Sequence, residues 1–174
     1  MKAPTRDDRR ESRRIRFASS ERDIVKPYVL VVEDDPADVH LIRRGFAING
    51  IPSEVVVLTD GAQVCEFLFT SEGAGRGYPH VILLDWTLPK IPAGEVLDRI
   101  RSDPRTHLIP VVVLTSGKRD GAVMEAYRLG ANGWIRKPPS FVDVVEDIRQ
   151  VGLYWLGLNE ARAKDSRSAQ KLPG

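Results

Sequence analysis

At 174 residues, with 42% hydrophobic and 29% charged residues and a formal net charge of +2, the chain has the size of one well-buried domain with tails and is short for two. A single cysteine, Cys65, excludes an internal disulfide and fits a reducing compartment. No apolar stretch approaches the ~20 residues of a membrane span and the N-terminus lacks the apolar core of a secretory signal, so no membrane partner is expected and the expected location is the cytoplasm.

The charge is unevenly spread. Residues 1–26 carry nine Lys or Arg against five Asp or Glu, which leaves a mildly acidic body. Within residues 1–23, Arg6, Arg9, Arg10, Arg13, Arg14 and Arg16 alternate with Asp7, Asp8 and Glu11 and almost nothing apolar, so a disordered arm is expected. Clustered arginines can neutralise phosphates. Without interleaved aromatics or a DNA-reading motif, however, a solvated tail is the favoured reading and no nucleic-acid partner is expected.

The body, residues 24–158, alternates strand and helix signals. Residues 29–32 (Val-Leu-Val-Val) run into Glu33-Asp34-Asp35, and a short continuous apolar run reads as a strand buried on both faces. Pro36 suits the first turn of a helix with Asp35 as its N-cap. Val39, Ile42 and Phe46 repeat at helical spacing, and Asn49-Gly50 is a stop. Residues 55–58 form a second strand, followed by Asp60-Gly61 and a helix near 62–69 in which Cys65 reads as a packed thiol. Gly73, Gly75 and Gly77 mark a loop before the strand at 81–84, which ends at Asp85.

A helix near 94–101 leads past Asp103-Pro104 to a strand at 111–114 that ends at Thr115-Ser116. Another helix, near 121–129, stops at Gly130 before a short strand at Trp134-Ile135-Arg136 that ends at Lys137-Pro138. The last helix opens on Ser140-Phe141-Val142-Asp143, a capping-box pattern with Asp in place of Glu. Phe141, Val144, Val145, Ile148 and Gly152 share the face that should pack on the sheet. Leu153, Tyr154, Leu156 and Leu158 point partly elsewhere. That apolar surplus suggests a protein interface, a homodimer, with folding back onto the same domain as the alternative. Residues 159–174 are polar and expected to form a flexible tail.

Five such units make an α/β fold, a doubly wound five-stranded parallel sheet with right-handed crossovers. In an open parallel sheet the ligand site lies beyond the carboxyl ends of the strands. Glu33, Asp34, Asp85, Thr115 and Lys137 would meet there: three carboxylates, a hydroxyl and an ammonium, a set suited to a divalent cation and a phosphoryl group. Taken singly, the acids read as a solvated strand end, Thr115 as a β-branched strand residue and Lys137 as a loop charge. Together, in register with four strand ends, they read as a site. His40, His80 and His107 have no ligand spacing and read as surface or strand-edge residues.

The segments Val31-Val32-Glu33-Asp34-Asp35-Pro36, Leu83-Leu84-Asp85-Trp86-Thr87-Leu88-Pro89, Val113-Leu114-Thr115-Ser116 and Lys137-Pro138, in that order, resemble the receiver domain of two-component response regulators. The resemblance runs from about Pro27 to Leu156. Glu33-Asp34-Asp35-Pro36-Ala37-Asp38 and Tyr154-Trp155-Leu156 further resemble the stand-alone regulators paired with bacterial phytochromes. With few residues after the last helix, no output domain is expected.

The resemblance implies a flavodoxin-like (βα)5 fold with strand order 2-1-3-4-5. It implies Asp85 as phosphoacceptor from a sensor histidine kinase, a bacterial phytochrome being one candidate. Mg2+ is implied at Asp34 and Asp85 directly, at Glu33 through water and at the backbone carbonyl of Thr87. Lys137 would pair with Asp85 and then with the phosphoryl oxygens, across a cis Lys137–Pro138 bond. Thr115 would hydrogen-bond the phosphoryl group and move inward, and Trp134 stands at the position of the switch aromatic. Phosphorylation would then change the face of the fourth helix, fifth strand and fifth helix, with Trp134, Leu153, Tyr154, Trp155 and Leu156 as the interface. Trp86, beside the acceptor, would border the pocket or shield the aspartyl phosphate from water, with a partly exposed ring of no such role as the alternative.

One departure follows the acceptor. Receivers usually carry Asp-Gly where this chain has Ile91-Pro92-Ala93-Gly94, a glycine displaced by one residue, with Pro92 stiffening the turn instead. Two rival readings are a receiver-like adaptor that docks without phosphate, and a Mg2+-dependent phosphohydrolase. The second would need an acid/base two residues beyond Asp85, where Thr87 stands. The expectation is therefore a signalling protein and not an enzyme, with slow self-dephosphorylation at most.

Overall fold

The computed structural model describes residues 28–70, 77–117 and 120–158. The expected arm (1–23), Gly73, Gly75 and the expected tail (159–174) lie outside the described residues. In chain order the elements are β1 (Tyr28–Val32), α1 (Pro36–Ile48), β2 (Glu54–Leu58), α2 (Gly61–Phe69), β3 (Val81–Asp85), α3 (Ala93–Ser102), β4 (Val111–Thr115), α4 (Asp120–Arg128), β5 (Gly133–Arg136) and α5 (Phe141–Val151), which continues as a π-helical segment, Gly152–Leu158. All strand pairs are parallel and the sheet order is β2-β1-β3-β4-β5.

The apolar runs divide by parity, as a strand period of two requires. Leu30, Val32, Ile82 and Leu84 face Val64, Leu68, Val96, Leu97 and Ile100 of α2 and α3. Val29, Val31 and Leu83 face Ile42 and Phe46 of α1 and Val144, Ile148 and Val151 of α5. Both faces are covered, which is why these strands read as continuous and not alternating apolar runs.

Helix α1 starts as expected: the Asp35 carboxylate accepts from the Ala37 N–H at 2.8 Å, with Pro36 in the first turn. Its end is also a tether, since Asn49 Nδ2 donates to Gly45 O at 2.8 Å and to Val145 O of α5 at 2.9 Å. Gly50 then takes a left-handed φ of 59°.

The expected cap of α5 is not made. Ser140 has N-cap dihedrals but no side-chain cap hydrogen bond, and only its carbonyl engages, accepting from Val144 N at 3.1 Å. Asp143 therefore has no reciprocal partner to complete a capping box. The buried stripe is Val144, Ile148 and Val151, while Phe141 and Val145 are half-buried. Phe141 instead lies beneath the Arg44 guanidinium, 4.6 Å from ring centre.

At the π-helical end, Trp155 and Leu156 pack back on the α1–α5 side of the core. Leu153 is half-buried, and Tyr154 (54%) and Leu158 (77%) are exposed. The apolar surplus is therefore shared between the chain's own core and solvent.

The loop after β3 is held differently from the expectation. Gly94 lies inside the first turn of α3, and the residue with left-handed backbone is Lys90, φ 66°. A non-glycine residue there costs about 1 kcal/mol or more. Lys90 Nζ compensates by pairing with the buried Asp60 at 2.5 Å, and that same Asp60 caps α2 by accepting from Gln63 N at 2.9 Å. Gly61 completes the junction, because a Cβ there would collide with the Ile91 carbonyl oxygen and press on Val96. Gly61→Ala is expected to destabilise the domain by about 1–3 kcal/mol through this overpacking. Urea unfolding should show the midpoint falling at unchanged slope; an unshifted midpoint would refute the tight junction.

Candidate functional site

Strand register assembles the site. Val32 pairs with Leu84, so Glu33 and Asp85, each one residue further on, emerge side by side. Asp85 pairs with Leu114, which brings Thr115 to the next position. Lys137 follows β5, and its N–H donates to Thr115 O at 2.7 Å. All the expected side chains therefore stand at one edge of the sheet.

Glu33 is fully buried, Asp85 is 5% exposed and Thr115 6%, while Asp34 is exposed. Carboxylate oxygens of Glu33, Asp34 and Asp85 lie within 4.8 Å of one another. The Lys137 ammonium sits 2.6 Å from Glu33 Oε2, 2.8 Å from Asp38 Oδ2 and 3.4 Å from Asp85 Oδ1. Glu33 Oε1 accepts from Asp35 N at 3.2 Å. Glu33 Oε2, despite its ion pair, has no aligned hydrogen bond. Thr87 is exposed, and its backbone N–H donates to the Asp85 carboxylate. Thr115 Oγ1 accepts from Gly117 N at 3.3 Å.

Burial pushes the Asp85 carboxyl above the usual range; Lys137 and the Thr87 N–H pull it down, and Asp34 raises it further. Burial likewise raises Glu33 against the pull of Lys137, with Asp85 adding to the rise. For Lys137 burial alone would lower the pKa, but its contacts with Asp38 and Glu33 and the nearby Asp85 outweigh it and hold the ammonium above its ordinary value. Three acids around one cation leave an excess of negative charge in a desolvated pocket. An all-oxygen set with a buried, unaligned carboxylate oxygen fits a hard divalent cation such as Mg2+.

One expectation is extended and another changes. Lys137 pairs with Asp85 at 3.4 Å as expected, but Glu33 and Asp38 lie nearer. Asp38 went unassigned in the sequence, although as the third residue of α1 after the Asp35 cap it projects toward the strand ends. The Lys137–Pro138 bond is trans, since no described peptide bond is cis. Trans is the lower-energy isomer of an X-Pro bond, and here it leaves both the Thr115 register bond and the reach of the ammonium intact.

Trp134, half-buried on β5, packs against Trp86, the residue after Asp85, with ring centres 6.0 Å apart and planes at 57°. The two indoles link the end of β3 to β5. His40 and His107 are exposed, and His80, at the start of β3, is half-buried with its Nδ1 unpartnered. None of the three belongs to the acidic cluster.

Known proteins resemble this chain in sequence and fold. The chain is 38% identical over 133 residues to the probable methanogenesis regulatory protein FilR2 of Methanothrix harundinacea, covering 76% of this chain and 86% of that one. It is 33% identical over 129 residues to response regulator Rcp1 of Synechocystis, covering 74% and 88%. The Mn(2+)-bound form of Rcp1 superposes with a TM-score of 0.71 at 32% identity, covering 78% of this chain and 98% of that one. The phosphorylated cyanobacterial phytochrome response regulator RcpA gives 0.73 at 33% identity, covering 79% and 99%. The model of the response regulator receiver domain matches residues 29–149, and with these strand ends and this sheet order the chain belongs to the response regulator receiver family of two-component systems.

Proposed function

We propose that this chain is a cytoplasmic response regulator in which Asp85 accepts a phosphoryl group from a phosphohistidine of a sensor kinase, a phytochrome being the favoured candidate. The observation that carries the reading is the buried Asp85 carboxylate beside Glu33, Asp34 and Lys137. The likeness to Rcp1 and RcpA supports the phytochrome partner. No helix among the described residues is long and apolar enough to cross a membrane.

An Asp85 oxygen attacks phosphorus as the P–N bond to the histidine breaks. The imidazole leaves with the bond's electron pair, and an aspartyl phosphate forms. Transfer of this kind depends on position and charge neutralisation. Glu33, Asp34, Asp85 and the Thr87 carbonyl would hold Mg2+, which when bound would neutralise charge building on the phosphoryl oxygens. Lys137 supplies a second positive charge, and the Thr87 N–H orients the Asp85 carboxylate. The Thr115 hydroxyl moves inward and donates a hydrogen bond to the group once it arrives. That movement biases the Trp86–Trp134 contact, and with it the α4–β5–α5 face, between two pre-existing arrangements. Homodimerisation through that face or through Tyr154 and Leu158 is the proposed readout.

The test is intact mass after incubation with a small acyl phosphate, with Mg2+ and with a chelator. One added phosphoryl group that requires Mg2+ is expected, followed by a change in elution volume. No addition to the native chain, even when sampled within seconds, would transfer the reading to a phosphate-independent adaptor.

A further inference from the structure

We infer that Asp38 is a positioning residue for Lys137: a counter-ion outside the metal-binding set, which keeps the ammonium beside Asp85 when Glu33 turns its oxygens to a cation. The inference rests on the proposed reading of the site.

Of the three anions around Lys137, only Asp38 makes an aligned hydrogen bond, 2.8 Å from Nζ to Oδ2. Glu33 and Asp85 also contact the ammonium, at 2.6 and 3.4 Å, but both belong to the three-acid cluster and Asp38 does not. A divalent cation drawing on Glu33, Asp34 and Asp85 therefore competes with Lys137 for the same oxygens, and like charges this close in a partly desolvated pocket repel. Without another anion, Lys137 would either oppose the cation or swing away from the acceptor.

Asp38 removes that conflict because its position is fixed independently of the cluster. It is the third residue of α1, whose start is set by the Asp35 cap and Pro36, and an acidic side chain is favourably placed in a first helical turn. Its side chain is 29% exposed and that of Lys137 14%, so the pair sits at the pocket's rim, screened from much of the solvent. At 3.4 Å from Asp85 Oδ1, Lys137 is outside good hydrogen-bond range of the acceptor, yet near enough to meet oxygens carried on it.

The test is calorimetric titration of the full chain with Mn2+ alone, in the native form, Asp38→Asn, Lys137→Met and the double variant, each also melted without metal. Asp38→Asn is expected to weaken Mn2+ binding about tenfold, because Lys137 then falls back on Glu33 and Asp85. In the Lys137→Met background the same substitution should change affinity by less than about twofold. The metal-free melts should show a non-zero coupling between the two positions. Unchanged or tighter binding by Asp38→Asn would overturn the assignment. So would an equal loss in the Lys137→Met background, which would make Asp38 a ligand or a general source of negative charge. If the native chain fails to bind Mn2+, the reading of the whole site falls; if it binds and the cycle is flat, only the role of Asp38 does.

Discussion

Asp85→Asn is expected to lose phosphoryl uptake entirely and yet, without metal, to melt at a higher temperature than the native chain. The loss follows from chemistry, since an amide oxygen cannot form the acyl phosphate. The gain follows from electrostatics. Asp85 and Glu33 are raised above 3.8 and 4.5, chiefly by burial. An acid whose folded pKa is raised binds more protons folded than unfolded, so stability falls as pH rises from its unfolded value through its folded one. Once the pH exceeds the folded value that penalty is complete, and Asn, isosteric and neutral, removes the Asp85 share while keeping the Thr87 N–H satisfied.

A rise of several degrees is expected, about 1 kcal/mol corresponding to roughly 3–5 °C in a domain of this size. The difference should vanish below pH 3.8, where both forms are neutral at this position. Saturating Mg2+ should reverse the order, because only the native site gains binding free energy. A variant that melts below the native chain at neutral pH without metal would show that the carboxylate is satisfied and not repelled.

The fold was legible because each buried strand announces itself twice, as an apolar run and as the polar residue that ends it. The site was legible for the same reason: parallel strands carry their ends to one edge, so Glu33, Asp85, Thr115 and Lys137 meet whatever the loops do. Features decided by side-chain direction or loop conformation were less visible. That Lys137 prefers Asp38 depends on where α1 aims its third residue. That Lys90, and not Gly94, adopts left-handed backbone depends on the buried Asp60 that holds it. The unmade cap at Ser140 and the return of Trp155 and Leu156 to the core depend on how α5 lies against α1, which local sequence does not encode.

Lys137→Met tests the same charge balance from the opposite side and should move stability the other way. Methionine keeps the aliphatic bulk but removes the one cation among Glu33, Asp38 and Asp85. Removing one partner of a buried ionic cluster leaves uncompensated charge and costs about 3–5 kcal/mol. Solvent at the Asp38 rim and partial protonation of the acids offset some of this, so about 3 kcal/mol is expected, roughly a 10 °C fall in melting temperature. Without Lys137 the folded pKa values of Glu33 and Asp85 rise further, so the deficit should grow as pH climbs above 4.5 and shrink toward zero at pH 3. Mg2+ should restore much of it, a divalent cation replacing the missing ammonium, while phosphoryl uptake stays slower than native because the second positive charge is gone. A deficit independent of pH and of Mg2+ would assign the loss to packing around the side chain, and would remove the electrostatic account of both variants together.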